Sequence, residues 1–400
     1  GWHMRLLIFF FAMAFALTGA SAEPNTHPLQ TAAYAGDIAT LESKFATLHQ
    51  AVRDGEADHD ALRDYVALLA VSHPTIVKTV DDWLNEMPDS PYANTIRARQ
   101  LSATAWGLRG GGVAGQTPPD ALANFRHMQN LSMDHAMRAY GAASDFVPAV
   151  DHLIRLQPIT KTYSRREFLN LVAEVFDTTP NSGTFSALSL YTFPGWGGRG
   201  MRDINLLCQA HAPKVPETWF TVEICKIRVA NTQSGRLDYD ALWADVGTDI
   251  HESIAFERAW YLTRGLMTDD TEAHEFVENY LRGPGRTEYF IAERYLNSRS
   301  YSPDVRDLID EIAHTATEKA LQTIEHAPFN LKAVEVLLGD GIFFAPKRSH
   351  SDPAIAAAND RNLSARLAVA RPFHANIWLK AALAQGRKED DYLTGHAFQF

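Results

Sequence analysis

The stretch that decides the fold is residues 165–182, RREFLNLVAEVFDTTPNS. The apolar residues of its first part recur at intervals of three and four positions: Phe168, Leu171, Val172, Val175 and Phe176. This spacing places them on one face of an α-helix. Pro180 then cannot continue that helix, and the polar step Asn181–Ser182 follows it. The stretch therefore predicts an amphipathic helix, a turn and a second helix.

The same helical spacing continues along the chain, at 41–52, 62–73 and 309–324. Alternation with a period of two, which is typical of half-buried strands, is nearly absent. The best strand candidate, residues 219–224 (WFTVEI), is also compatible with a helix. We therefore predict an all-α fold of about 16 to 20 helices with little or no sheet.

A proline junction like the one at Pro180 recurs at Pro88, Pro328 and Pro372. In each case an apolar helix end is followed by proline, a short polar step and a new apolar helix. Proline is tolerated at the first turn of a helix, and such junctions close the repeats of tetratricopeptide-like arrays. Because the junctions are irregularly spaced, we predict an α-solenoid of helical hairpins with degenerate repeats. A helical bundle without repeats is the alternative.

The composition excludes several classes of protein. The 46% hydrophobic and 21% charged residues are typical of a globular chain rather than a disordered one. The formal charge of −11, from 37 basic and 48 acidic residues, argues against nucleic acid or an anionic membrane surface as the main partner. Two cysteines in 400 residues exclude a fold built on disulfides and a four-cysteine zinc site.

The N-terminal 22 residues have the pattern of a secretory signal peptide. Met4 is the expected initiator, preceded by residues 1–3 as a scar, and Arg5 supplies the positive charge. An apolar run at 6–17 leads to Ala20-Ser21-Ala22, whose small residues fit a cleavage site after Ala22. This run is too short to span a membrane. We therefore expect a periplasmic or secreted mature chain without stable membrane insertion.

Export changes the interpretation of the two cysteines, because disulfides persist in oxidising compartments. Cys208 and Cys225 are separated by a segment that contains Pro213 and Pro216, as expected for the turn of a helical hairpin. They are therefore a disulfide candidate. The alternative is a pair of buried thiols on facing helices that never reach bonding geometry.

Several segments resemble a bacterial family known only as domain of unknown function 4034. The segments are Gly36-Asp37 with Leu41-Glu42, Trp83 before Met87-Pro88-Asp89-Ser90, Ala105-Trp106-Gly107-Leu108-Arg109-Gly110, Leu190-Tyr191, Pro194-Gly195-Trp196-Gly197-Gly198 and the helix ending in Cys208. They cover roughly residues 30–235. The resemblance implies a tetratricopeptide-like fold over 23–235 and no known activity. We expect residues 236–400 to be further helical hairpins continuous with it.

Two motifs are candidates for binding. Trp106 and Arg109 precede three glycines in the sequence. They offer an aromatic surface and the paired N–H donors of a guanidinium, which suit recognition of a carboxylate. Tyr191, Trp196 and Arg199 flank a glycine-rich turn. The turn is either a structural plug between helices or the second wall of a groove shared with Trp106. The alternative for the first motif is that Trp106 is part of the core and the glycines are a linker.

We find no motif that predicts catalysis, a metal or a cofactor. The pairs His251-Glu252 and His274-Glu275 lack the second histidine of a zincin helix, and Gly-x-Ser-x-Gly is absent from the sequence. We therefore expect a binding protein that holds a protein or peptide partner in a concave groove. The alternative is a periplasmic hydrolase that acts on cell-wall material through carboxylates in the same groove.

Overall fold

The computed structural model describes residues 28–70, 74–109, 114–230, 237–264, 270–287, 289–296, 305–309 and 311–312. The predicted signal peptide and the junctions at Pro328 and Pro372 lie outside these residues. The described chain is all-α and contains no strand, as the apolar spacing predicts. Its α-helices are α1 (Pro28–Ala35), α2 (Ile38–Arg53), α3 (His59–Leu69), α4 (Pro74–Glu86), α5 (Pro91–Arg109), α6 (Pro119–Ala142), α7 (Val147–Thr160), α8 (Arg165–Thr178), α9 (Ser189–Thr192), α10 (Met201–His211), α11 (Val222–Ala230), α12 (Tyr239–Val246), α13 (Ala255–Arg264), α14 (Thr271–Arg282) and α15 (Tyr289–Leu296).

Helix α8 shows why the quoted stretch folds as it does. Ser164 caps it: its hydroxyl accepts from the Glu167 N–H at 3.2 Å, and the Glu167 carboxylate accepts from the Ser164 N–H at 2.8 Å. This capping box satisfies two donors that a helix start leaves unpaired. The helix ends at Thr178, two residues before Pro180. The face predicted to be apolar is largely buried: Phe168, Val172, Val175 and Phe176.

The element after Pro180 differs from the regular helix that we predicted. Residues Gly183–Leu188 form a 3₁₀ helix, which runs directly into the single turn of α9. The segment 219–224, which was compatible with a strand or a helix, contains no strand. Val222 begins α11, and the residues before it form a turn. Pro88 lies between α4 and α5, where Pro91 opens the new helix.

Helix α7 is the centre of the described fold. Its residues from Val147 to Pro158 are buried on every face, with Arg155 alone half-exposed. Helices α3, α5 and α6 pack against it, as do the 3₁₀ helix and α9. A helix that is buried on every face is enclosed by other elements. The charged residues that α7 carries are therefore held at fixed positions inside the molecule.

Most other helices pack on their neighbours in sequence, such as α5 on α6, α6 on α7 and α11 on α12. One core lies around Phe45 and Trp83 on the N-terminal helices. A second surrounds Phe176 and Phe185, and a third centres on Tyr295. These cores hold the helix pairs that line the site described below.

Cys208 on α10 and Cys225 on α11 form a disulfide with an S–S distance of 2.08 Å. Both residues are fully buried in the second core. Pro213 and Pro216 lie in the connection between these two helices, as the sequence suggests. The bond joins the two helices of one hairpin, and α11 also packs against the 3₁₀ helix.

Candidate functional site

A cleft opens beside α7, and we call it the arginine cleft. Its larger cavity has a volume of about 600 Å³ and is lined by residues of α3, α5, α7 and the 183–190 segment. A second cavity of about 360 Å³ continues it toward α11. The two share Arg63, Arg155 and Ser186, so they form one elongated depression. Trp106 lies at one end of the cleft and Trp219 at the other.

Arg63 of α3 is the structural arginine of the cleft. Its Nε donates to Asp151 Oδ2 at 2.8 Å, and its Nη2 donates to Asn181 Oδ1 at 2.7 Å. The Thr184 hydroxyl donates to the other Asp151 oxygen at 2.8 Å. Burial lowers the pKa of Arg63, but the negative charge of Asp151 raises it by more. The pKa of Arg63 therefore lies above its usual value. This network ties α3, α7 and the 3₁₀ helix together.

Gly183 is required for this arrangement. A Cβ atom at position 183 would overlap the Arg63 guanidinium. Arg63 is fixed by its bonds to Asp151 and Asn181, so it has no free rotamer to offer. Gly183 therefore allows the Arg63 side chain to lie close to the backbone.

Arg99 of α5 and Arg155 of α7 line the larger cavity, and Arg155 also lines the smaller one. Burial, with the positive charge of Arg155, lowers the pKa of Arg99 to about 10. The pKa of His152 lies well below its usual value, because of burial and then because of Arg99 and Arg155. His152 is therefore neutral at pH 7, and the region around it is electropositive.

His152 is hydrogen-bonded to the buried Ser132. The Ser132 hydroxyl donates to the Ala98 carbonyl at 2.6 Å and lies 2.8 Å from His152 Nε2. A hydroxyl that gives its only proton to a carbonyl accepts from the histidine, and in that arrangement His152 does not act as a base toward Ser132. Asp151 is occupied by Arg63 and Thr184. The buried acid of the cleft is thus a structural counter-ion.

The structure brings three of the predicted binding residues together, and one of them, Trp106, lines the larger cavity of the cleft. The Trp106 ring contacts Phe125 and Trp196, with centroids 4.8 Å and 6.0 Å away. The Arg109 guanidinium lies 5.3 Å from the Trp106 ring and 6.0 Å from the Trp196 ring. We call Trp106, Arg109, Phe125 and Trp196 the Trp106 cluster. It joins two motifs that are 90 residues apart in sequence.

The other two predicted residues lie elsewhere. Tyr191 packs on Phe168, and its hydroxyl accepts from Arg165 Nη1 at 3.0 Å. Arg165 also pairs with the buried Asp203. Arg199 is exposed, and its backbone N–H donates to Asp203 Oδ2 at 2.8 Å. Tyr191 and Arg199 therefore belong to the support of the glycine-rich turn rather than to the Trp106 cluster.

The glycine-rich turn fixes Trp196. Gly197 and Gly200 have φ of +91° and +59°, a region that glycine adopts without strain. A Cβ at Gly198 would overlap the backbone of the 191–192 segment. The Lys161 ammonium donates to the Trp196 carbonyl at 2.7 Å. The turn thus holds Trp196 against Trp106.

The histidine–glutamate pairs have other partners in the structure. His251 stacks on Trp219 with ring centroids 5.3 Å apart, and Glu257 accepts from Arg228 at 2.8 Å. His274 Nδ1 lies 2.8 Å from the Tyr295 hydroxyl, which donates to Glu278 at 2.8 Å. Among the residues that the structure describes, no three His, Cys, Asp or Glu side chains converge as metal ligands would.

Sequence reasoning missed the three arginines of the cleft, because Arg63, Arg99 and Arg155 come from three separate helices. One signal was available: Asp151, His152 and Arg155 interrupt an otherwise apolar segment. Polar residues in such a helix point to a buried network or a site.

No helix within the described ranges is long and apolar enough to cross a membrane. A scan against protein-family models, a search of curated proteins and a search of solved structures each gave no match for this chain. The resemblance noted above therefore stays a prediction.

Proposed function

We propose that this chain binds an extended segment of a protein or peptide partner in the arginine cleft, with the Trp106 cluster as its main anchor. The observation that carries the proposal is the elongated shape of the cleft, which runs from Trp106 to Trp219 through Arg155. An extended chain can occupy such a depression along its length. Aromatic and arginine side chains are also the residue types enriched at the energetic centres of binding interfaces.

The Trp106 cluster is already assembled without a partner. Its rings contact one another, and the turn that carries Trp196 is fixed by Lys161. A preformed anchor loses little side-chain freedom on binding, which favours affinity. The hydrolase alternative needs an acid and a base free to react, whereas Asp151 is bound by Arg63 and Thr184.

The finer fold and the compartment are part of the same proposal. Packing between helices adjacent in sequence supports a tetratricopeptide-like array of degenerate hairpins. The Cys208–Cys225 disulfide supports a periplasmic or secreted location, because such bonds are rare in reducing compartments.

A peptide selection tests the proposal. The chain from Glu23 is immobilised and challenged with a displayed library of random peptides, and enriched sequences are measured by calorimetry. We expect micromolar binding that weakens at least tenfold in Trp106→Ala, since truncating a central aromatic anchor costs about 2 kcal/mol.

Leu206→Ala is the matched control, because Leu206 is 49% exposed on α10 and does not line the cleft. Its affinity for the peptides should equal that of the parent chain. No enriched peptide, or equal losses in the two variants, would contradict the proposal. Turnover of the library peptides or of a glycan would favour the hydrolase instead.

A further inference from the structure

Two positive side chains lie in the arginine cleft, where the nearby Asp151 offsets only part of the burial and repulsion that act on Arg99. Arg99 and Arg155 project from α5 and α7 into the same cavity. Within the described part of the chain, no hydrogen bond or ion pair reaches either guanidinium. Both are close enough to His152 for their charges to act on it. Two like charges in a partly desolvated cavity raise the free energy of the empty protein.

The charge of Asp151 acts on Arg99 from a distance, but the acids that line the larger cavity form no ion pair with either arginine within the described residues. Asp151 is 2% exposed and gives one oxygen to Arg63 and the other to Thr184. Asp64, the other acid of the larger cavity, is exposed to solvent at its edge. A bound anion would therefore relieve the repulsion between Arg99 and Arg155 directly.

The surroundings fit an oxyanion attached to an apolar group. The Ser102 hydroxyl lines the cavity beside the two arginines, while Trp106, Leu156 and Ile159 form an apolar wall. Guanidinium groups bind carboxylate and phosphate through pairs of parallel hydrogen bonds. An apolar side chain next to the anion would pack against this wall.

We infer that Arg99 and Arg155 together form an oxyanion-binding site, which in the cleft receives the carboxylate of a peptide's C-terminal residue. The carboxylate assignment rests on the function proposed above, whereas the oxyanion site itself does not. Free phosphate offers the same chemistry, so the experiment below distinguishes the two sources.

The probes are inorganic phosphate, N-acetyl-alanyl-leucine and its C-terminal amide, added to the chain from Glu23 at constant ionic strength. Binding is followed by calorimetry and by the rise in Tm that a ligand of the native state produces. We expect the free acid to bind saturably and its amide to bind at least tenfold more weakly. Saturable binding of phosphate with no preference for the acid over the amide would assign the site to phosphate and overturn the carboxylate assignment.

Arg99→Gln and Arg155→Gln should each weaken binding of the free acid at least tenfold. Arg99→Lys should give an intermediate loss, since it keeps the charge and removes the paired donors. The control is Arg126→Gln, which changes an exposed arginine of α6 and should leave binding unchanged. Circular dichroism of each variant verifies the fold.

The inference is overturned if neither phosphate nor the free acid binds saturably, or if both glutamine variants bind like the parent chain. If phosphate and the free acid bind but the peptide selection fails, the oxyanion site stands and the proposed function falls.

Discussion

Reduction of the Cys208–Cys225 disulfide should destabilise the native chain by about 3 kcal/mol. The bonded residues are 17 positions apart. Closing a loop of that length removes about 10 cal/mol/K of entropy from the unfolded chain, which is about 3 kcal/mol at 25 °C. Both cysteines are fully buried. In this chain-entropy account the loss arises from the greater freedom of the unfolded state.

Urea unfolding of the chain from Glu23 measures this effect, with and without a phosphine reductant. Urea slopes are about 1–3 kcal/mol/M for small proteins and rise with size, so about 3 kcal/mol should lower the midpoint of this larger chain by roughly 1 M or less. Tryptophan fluorescence reports on the core around the bond, because Trp243 is buried in it. Circular dichroism at 222 nm reports on all helices together.

The double variant Cys208→Ala, Cys225→Ala is the control, since reductant should not move its midpoint. Alkylation and mass spectrometry without reductant count the free thiols of the parent chain. Two free thiols would show that the bond does not form. An intact bond whose reduction leaves the midpoint unchanged would refute the loop-entropy reasoning.

Two further predictions concern buried charge. Asp151→Asn should destabilise the chain by up to about 3 kcal/mol, because it removes the buried carboxylate partner of Arg63 and leaves only the exposed Asp60. The companion variant Arg63→Met, Asp151→Leu should recover most of the thermal stability, and failure to recover it in a melting experiment would show that the pair is not the cause. Burial lowers the pKa of His211 to about 4, below its unfolded value near 6.5. The unfolded state therefore binds the extra proton, and up to about 3 kcal/mol of the free energy of unfolding is lost as pH falls from 6.5 to 4. The urea midpoint of His211→Leu should vary less with pH over that window than the midpoint of the parent chain. Identical pH profiles of the two chains would contradict this.

The helices were predictable because burial alone decides them. Phe45, Val66 and Phe176 stand at helical spacing in the sequence, and each is fully buried. The turn after Pro180 was predicted in the right place but with the wrong helix type. Arg63 passes close to Gly183 at the start of this 3₁₀ helix, and a contact between such distant residues leaves no local signal.

The candidate site was predictable in its aromatic part only. Trp106, Arg109 and Trp196 are conspicuous because tryptophan is rare and glycines surround them. Arg99 looks like an ordinary arginine of a solvated helix face, and Arg155 is marked only by the apolar segment around it. Their proximity depends on how α5 packs against α7, which is a property of the tertiary structure.

The enclosure of α7 has a consequence for hydrogen exchange. Amide protons of a helix buried on every face exchange with solvent only when the surrounding structure opens, so those of α7 should be among the slowest in the chain. A ligand held by Arg155 would lower the population of the opened state and slow these amides together. Deuterium uptake along α7 thus reports whether the arginine cleft is occupied, and it requires neither a label on the ligand nor knowledge of what the ligand is.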